Sequence, residues 1–264
     1  MIYRLKILSA NIVNTFQRET AYFFENWTNL LSTIFYTLTM LLFVDILYAN
    51  ITTLAGYSRN EMLFLVLVGQ IAYYTGWGIF AENTEMLNED IRTGTFDFVL
   101  IKPVPSLFFI SFRRIPIISM LRDSVPTLII IFLLINWRDV FITPGNMLWG
   151  IFVFICGQII WQCLRTLFVL PAFWFGNAKY IFSITYALGE THNLPFEGYP
   201  RGLRILFTTI IPVAIASAMS GSVMLGKSSG PLMAVWAFAA TAAFMFIINW
   251  LWKMGLRNYT SASS

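Results

Sequence analysis

Charge is what this sequence has least of. Lysine, arginine, aspartate and glutamate make up 11% of its 264 residues, against about a quarter in ordinary soluble domains. That deficit excludes a water-exposed globule of the usual kind. Histidine occurs once, as His192, and cysteine twice, as Cys156 and Cys163. One imidazole and two thiols do not supply a dedicated zinc site. The cysteines stand about two turns apart on one helix face, beyond disulfide reach, and read as small packing residues. No cluster of acid, base and nucleophile stands out. Glu190 and His192 are the one acid–base candidate, and with no nucleophile or metal set beside them they read as a satisfied interfacial pair. A net charge of +4 fits basic residues at helix ends rather than a nucleic-acid surface.

What the chain has instead is apolar length. Hydrophobic residues reach 58% and mean hydropathy is +0.70. Met62 to Ala81 and Ser228 to Trp252 run without a single charge. About 20 apolar residues in a helix cross a hydrocarbon core of about 30 Å, so the repeated runs imply an all-α, polytopic membrane helix bundle forming one transmembrane domain over residues 1–264. Six spans are expected: Trp27 to Tyr48, Met62 to Ala81, Ser106 to Trp137, Met147 to Leu170, Ala172 to Leu194, and Pro231 to Trp252. Part of the excess of tryptophan and tyrosine suits the headgroup level at both faces. The opening is charged and polar, so no cleavable signal peptide is expected. There Leu5, Leu8, Ile12 and Phe16 recur at helical steps between Arg4, Lys6 and Arg18, which reads as an interfacial helix over residues 1–26; an ordinary cytosolic lead-in is the competing reading.

Lysine and arginine in short connections set orientation. Arg4, Lys6 and Arg18, then Arg92, Lys102, Arg113 and Arg114, then Lys253 and Arg257 fall on one side of a six-span layout. Arg59, Arg138, Arg201, Arg204 and Lys227 fall on the other. This bias puts both termini in the cytoplasm. Ile205 to Gly226 is charge-free as well, but a seventh span would carry Lys253 and Arg257 outside. Pro212 splits that run, so an outer re-entrant segment over 199–228 is expected before the last span. The polar stretch at 82–105, ENTEMLNEDIRTGTFDFVLIKPVP, has room for one short helix, a turn at Gly94 and a firm stop at Lys102-Pro103.

Two motifs are decoys. Gly221 to Ser228 reads GSVMLGKS, which satisfies the phosphate-loop pattern in letters only. That chemistry needs a strand before the loop and a helix right after the lysine, and here Ser229-Gly230-Pro231 follow. Leu41 to Asp45 mimics a magnesium-binding strand but lies inside the first span. Asp45 itself reads as a snorkelling or capped carboxylate near the outer end. Arg122 and Asp123 sit deep in the third span, where charge is costly. Neighbours on a helix point about 100° apart and do not pair face to face, so each is expected to find a partner on another helix or in a polar cavity. They mark either a substrate path or subunit interface, or a structural ion pair. Gln70, Gln158, Gln162 and Arg165 are candidates for the same polar seam.

Two places resemble a known family. IRTGTFDFVLIKPV looks like the stretch after the second span of ABC-2-type exporter permeases, and the end of the chain, from YPRGLRILFTTIIPVA through MLGKSS to WKMGLRNYTSASS, is similar to their bacterial six-span subgroup. The resemblance is specific over that connection and the final third. It implies a permease that binds no cofactor itself, pairs with an identical or sibling six-span permease, and works in the bacterial inner membrane with cytosolic ABC ATPase subunits that hold ATP and magnesium. It maps Glu89, Asp90, Ile91, Arg92, Gly94, Thr95, Phe96 and Asp97 onto the ATPase-coupling segment and carries over no substrate residues. The residues agree: Glu89, Asp90, Arg92 and Asp97 offer charge, and Ile91 and Phe96 offer apolar anchors, for a partner's groove. Membrane lipid is the other expected partner, and nucleic acid is not one. A secondary transporter or channel would show inverted repeats, and none is convincing. An intramembrane lipid-modifying enzyme would have to rest on Glu190 and His192.

Overall fold

The computed structural model describes residues 11, 13–15, 17, 23–189 and 198–259. Most of the expected interfacial helix, and both Glu190 and His192, therefore lie outside the described residues. Within them the fold is all helical, apart from one isolated bridge between Leu54 and Tyr57. Five helices are long and apolar enough to cross a membrane, and a bent pair makes six if counted as one span.

The central element is α2, Arg59–Thr93. Its start is fixed by a capping box in which Ser58 and Glu61 satisfy each other's backbone amides. Its 35 residues extend about 52 Å at 1.5 Å per residue, well beyond a hydrocarbon core. The polar residues from Glu82 onward thus continue the span rather than forming a separate short helix. The turn at Gly94 is where it was expected: Gly94 takes the left-handed conformation at φ 76° and closes the helix onto Ile91, as glycine does without strain. Beside α2 stand α1, Phe23–Tyr48, and, after two short helices, α3 (Asp97–Leu100) and α4 (Ser106–Ser111), the helix α5, Ile117–Leu134. The expected third span is therefore broken between Ser111 and Ile117. Pro116 removes a backbone donor and pushes its predecessor out of the helix. Asn83 takes over there, with Nδ2 donating to the carbonyls of Ser111 and Arg114 and Oδ1 accepting the Arg114 amide.

α6, Pro144–Val169, begins at a Thr143 cap with proline in its first turn. The fifth span was expected as one helix from Ala172. Its described part is three short ones instead: α7 (Ala172–Phe175), α8 (Lys179–Phe182) and α9 (Ile184–Gly189). Gly176 at φ 72° ends α7, and Asn177 caps the Lys179 amide. α2 serves as a ruler for this climb. Asn177 meets Asn88, Tyr186 meets Glu85, and Gly189 lies against Tyr73. Next come α10, Arg201–Ile205, with a π turn continuing to Ile210, a 3-10 turn at Val213–Ile215, and α11, Ala218–Met224. The limbs Arg201–Ile210 and Val213–Met224 meet at 86° around Pro212. The second limb runs along α6 toward the Ser58 end of α2 and ends where Lys227 reaches Glu61. α12, Gly230–Asn258, returns along α6.

Apolar side chains cover the outside as well as the inside. Leu133 is 75% exposed and Phe246 is 73% exposed, and Phe35, Leu42, Ile46 and Val235 are exposed with them. In water such a surface would aggregate; in lipid it is the surface required. The two ends of the described chain meet at one end of the bundle. Asn11 donates to the Phe112 carbonyl, and Tyr259 packs on Phe96.

Close packing on α6 of the bend that follows Val213–Ile215 depends on Gly157, where an added Cβ would fall 2.4 Å from the Ala216 backbone. Overpacking of this kind costs about 1–3 kcal/mol. Gly157→Val is expected to lower the thermal unfolding midpoint in detergent by several degrees. Gly145→Ala, in open space, should leave it unchanged. Equal midpoints for both variants would rule out this contact as a packing constraint.

Candidate functional site

Two regions hold the residues singled out from the sequence. The first is the Gly94 turn. Asp90 is buried and accepts from Thr95 Oγ1 at 3.0 Å and from Arg113 in an ion pair. The Phe96 amide donates to the Asp90 carbonyl at 3.1 Å. Phe96 is 0% exposed and meets Phe173, Trp252 and Tyr259 edge-on, with ring centroids 5.4, 6.2 and 5.1 Å away. Burial, with the charge of Asp97 alongside, pushes the Tyr259 phenol up to about 12. Glu89 and Arg92 pair with each other on the exposed side.

This corrects the expected role of the anchors. Ile91 and Phe96 do not face a partner, because both are buried in the chain's own core. The apolar side chains that do face outward are Phe98, Leu100 and Ile101, with Ile101 78% exposed. A usable signal for them lies in the spacing. A four-residue helix from Asp97 to Leu100 cannot bury all of its apolar positions once Phe96 and Val99 have turned inward. Lys102 lies alongside, its Nζ 4.2 Å above the Phe109 ring.

The second region is the polar seam between α2 and α6. Gln158 Nε2 donates to the Ala72 carbonyl at 3.0 Å, Gln162 Nε2 to Ser111 Oγ at 3.3 Å, and Arg165 Nε to Thr84 Oγ1 at 3.3 Å. The structure thus brings these three together on one face, as their spacing suggests. Gln70 is buried on α2, one turn and more toward the Ser58 end. Arg165 is 0% exposed. Its guanidinium carbon lies 4.9 Å from the Phe182 ring, 5.1 Å from Trp77 and 6.0 Å from Tyr186. Its two terminal nitrogens have no hydrogen-bond acceptor among the described residues. Ring faces contribute about 0.5–2 kcal/mol each, which offsets only part of the several kcal/mol that a buried cation costs. Next to it is a small, half-open cleft lined by Tyr73, Trp77, Gln158, Trp161, Gly189 and Ser217 among others.

Arg122 and Asp123 are not part of that seam. They lie on α5, and they pair with each other, Nε to Oδ1 at 2.6 Å and Nη2 to Oδ2 at 2.8 Å. The expectation that neighbours on a helix cannot pair is corrected: the long arginine stem swings round the helix until its planar fork meets the short carboxylate. The pair borders a hydroxyl chain, where Thr127 meets Thr37 at 2.9 Å and Tyr74 at 3.3 Å. Asp45 is held by Arg59, near the expected outer end. In the false phosphate loop, Ala218–Met224 is helix, and Lys227 bonds the Gly56 carbonyl at 3.1 Å and pairs with Glu61. That lysine is occupied by the chain's own acceptors.

No curated protein and no solved structure matches the chain. Residues 34–263 match the family described as ABC-2 family transporter protein. That span takes in the greater part of α1, the other long helices, the Gly94 turn and the seam. With membrane-length helices around a turn-bearing central strut, the chain belongs to the ABC-2 transporter family and is a multi-pass membrane transport protein.

Proposed function

We propose that this chain is the permease subunit of an ATP-driven exporter, and that separate cytosolic ABC ATPase subunits drive it through the Gly94 turn. The observation that carries this reading is the combination of an exposed apolar tip with a rigid base. Phe98, Leu100 and Ile101 stand out from a turn whose backbone is held by Asp90, Arg113 and Phe96. A partner gripping that tip moves α2 rather than bending a loop.

Charge supports the assignment of sides. Arg92, Lys102, Arg113, Arg114, Lys179, Lys253 and Arg257 gather at the Gly94 end, against Arg59, Arg138 and Lys227 and, in the six-span layout, Arg201 and Arg204 on the other side. The positive-inside rule puts the Gly94 end in the cytoplasm, with both termini, in a bacterial inner membrane. A second permease, identical or a sibling, completes the passage, and ATP and magnesium belong to the ATPase. The surfaces of α1 and α5 left open by this chain suit lipid and that second permease.

Two measurements test the reading. Gly94→Pro is incompatible with φ 76°, because proline holds φ near −65°, and Asp97→Lys reverses the charge beside the tip. Both are expected to insert normally while cutting transport and transport-coupled ATPase at least tenfold; unchanged transport in both would remove this segment as the coupling element. Separately, a cysteine at Ile101 should react with an impermeant maleimide only after the cells are opened. Cys156 and Cys163, both buried, give little background. Labelling of intact cells would put the tip outside, where no ATPase can reach it.

A further inference from the structure

The least compensated charge among the described residues is Arg165. It is fully buried, and its one hydrogen bond uses Nε. Both terminal nitrogens, a planar fork matched to two oxygens of a carboxylate or phosphate, have no acceptor among the described residues. Glu85 acts on it from a distance, but that carboxylate already accepts the Tyr186 hydroxyl at 2.6 Å. Trp77 caps the guanidinium on one side and lines the half-open cleft on the other. The cleft also presents the rings of Tyr73 and Trp161, the apolar side chains of Leu188 and Val213, and Gln158, whose Oε1 has no donor among the described residues. An aromatic and apolar trough with one acceptor for a hydroxyl thus lies on one side of the Trp77 ring, and the arginine fork lies on the other.

We propose that the Trp77 cleft binds an amphiphile through a phosphate or carboxylate group received by Arg165. The inference rests on the permease reading, for which it names the substrate class, an anionic amphiphile. The bound anion takes the two free edges of the guanidinium, and the apolar part lies along Tyr73 and Trp161. Trp77 then acts as a movable wall, because turning this ring joins the cage to the cleft. A cage that served only to hold the helices together would bind no ligand and would have no preference for ligand charge.

The test uses the purified chain in dodecyl maltoside, without ATP or partner. Intrinsic tryptophan fluorescence is titrated with dodecyl phosphate, dodecylphosphocholine and dodecyltrimethylammonium. Dodecyl phosphate is expected to bind at least tenfold more tightly than the other two. Arg165→Gln should remove that preference, while Arg165→Lys should keep it within about threefold. If the glutamine variant does not elute as a single species, the wild-type headgroup series alone decides. Equal affinity across the series, or an undiminished preference in a well-folded Arg165→Gln, overturns the proposal. Inorganic phosphate is the competing arm. Displacement at comparable concentration identifies the free anion as sufficient, and persistence of dodecyl phosphate binding in its presence identifies the amphiphile; either supports the anion site. Because no ATPase takes part, failure here leaves the permease assignment standing, and a chain that binds dodecyl phosphate yet never recruits an ATPase would sink that assignment alone.

Discussion

The rest of the bundle is hung on the unbroken hydrogen-bond ladder of α2. In hydrocarbon a backbone amide has no water to turn to, so a continuous helix is the cheapest way through. α2 takes that solution without interruption from Ser58 to Gly94, and its neighbours do not. α5 starts below a break, α6 stops at Pro171, and the segment that follows climbs in short pieces. Each of these irregular stretches leans on α2 or on the face of α6 that α2 covers.

Where the backbone gives up its ladder, amide side chains replace it. Asn83 joins the α4–α5 break to α2. Asn88 accepts the Ala178 amide and donates to Asn177 at the start of the climbing segment. Both asparagines are buried, and both hold backbone groups that lipid would leave unsatisfied. Their cost on a membrane helix is offset by the donors and acceptors they take up. The polar residues at this end are therefore structural in large part, and the outward-facing remainder is what a partner can read.

Much of this was legible in the sequence. Hydropathy gave the all-helical bundle and the long runs, because the bilayer imposes length directly. Gly94 was readable as a turn and Pro212 as a bend, because each restricts the backbone locally. The false phosphate loop could be dismissed from its flanks alone. What stayed hidden depended on contacts between distant segments. Whether Phe96 faces a partner or the core is decided by Phe173, Trp252 and Tyr259, which are far away in the chain. The Arg122–Asp123 pair depends on a rotamer, to which helical spacing is blind. The aromatic cage of Arg165 draws on Trp77, Phe182 and Tyr186, two of them on the broken segment that sequence reading took for one smooth helix. The polar stretch after Ala81 read as a connection because its composition changes there, although its hydrogen bonding does not.

The nest around Phe96 joins the middle of the polypeptide to its final helix. Trp252 and Tyr259 reach it from the far end of α12, and Phe173 from just beyond α6. Three crossings are thereby fastened to one another beside the Gly94 turn. α1 meets α5 where Thr37 and Thr127 share a hydroxyl contact, and it meets α2 where Arg59 holds Asp45. The bundle is thus fastened by ring contacts at the Gly94 end and by the Asp45–Arg59 ion pair at the Ser58 end.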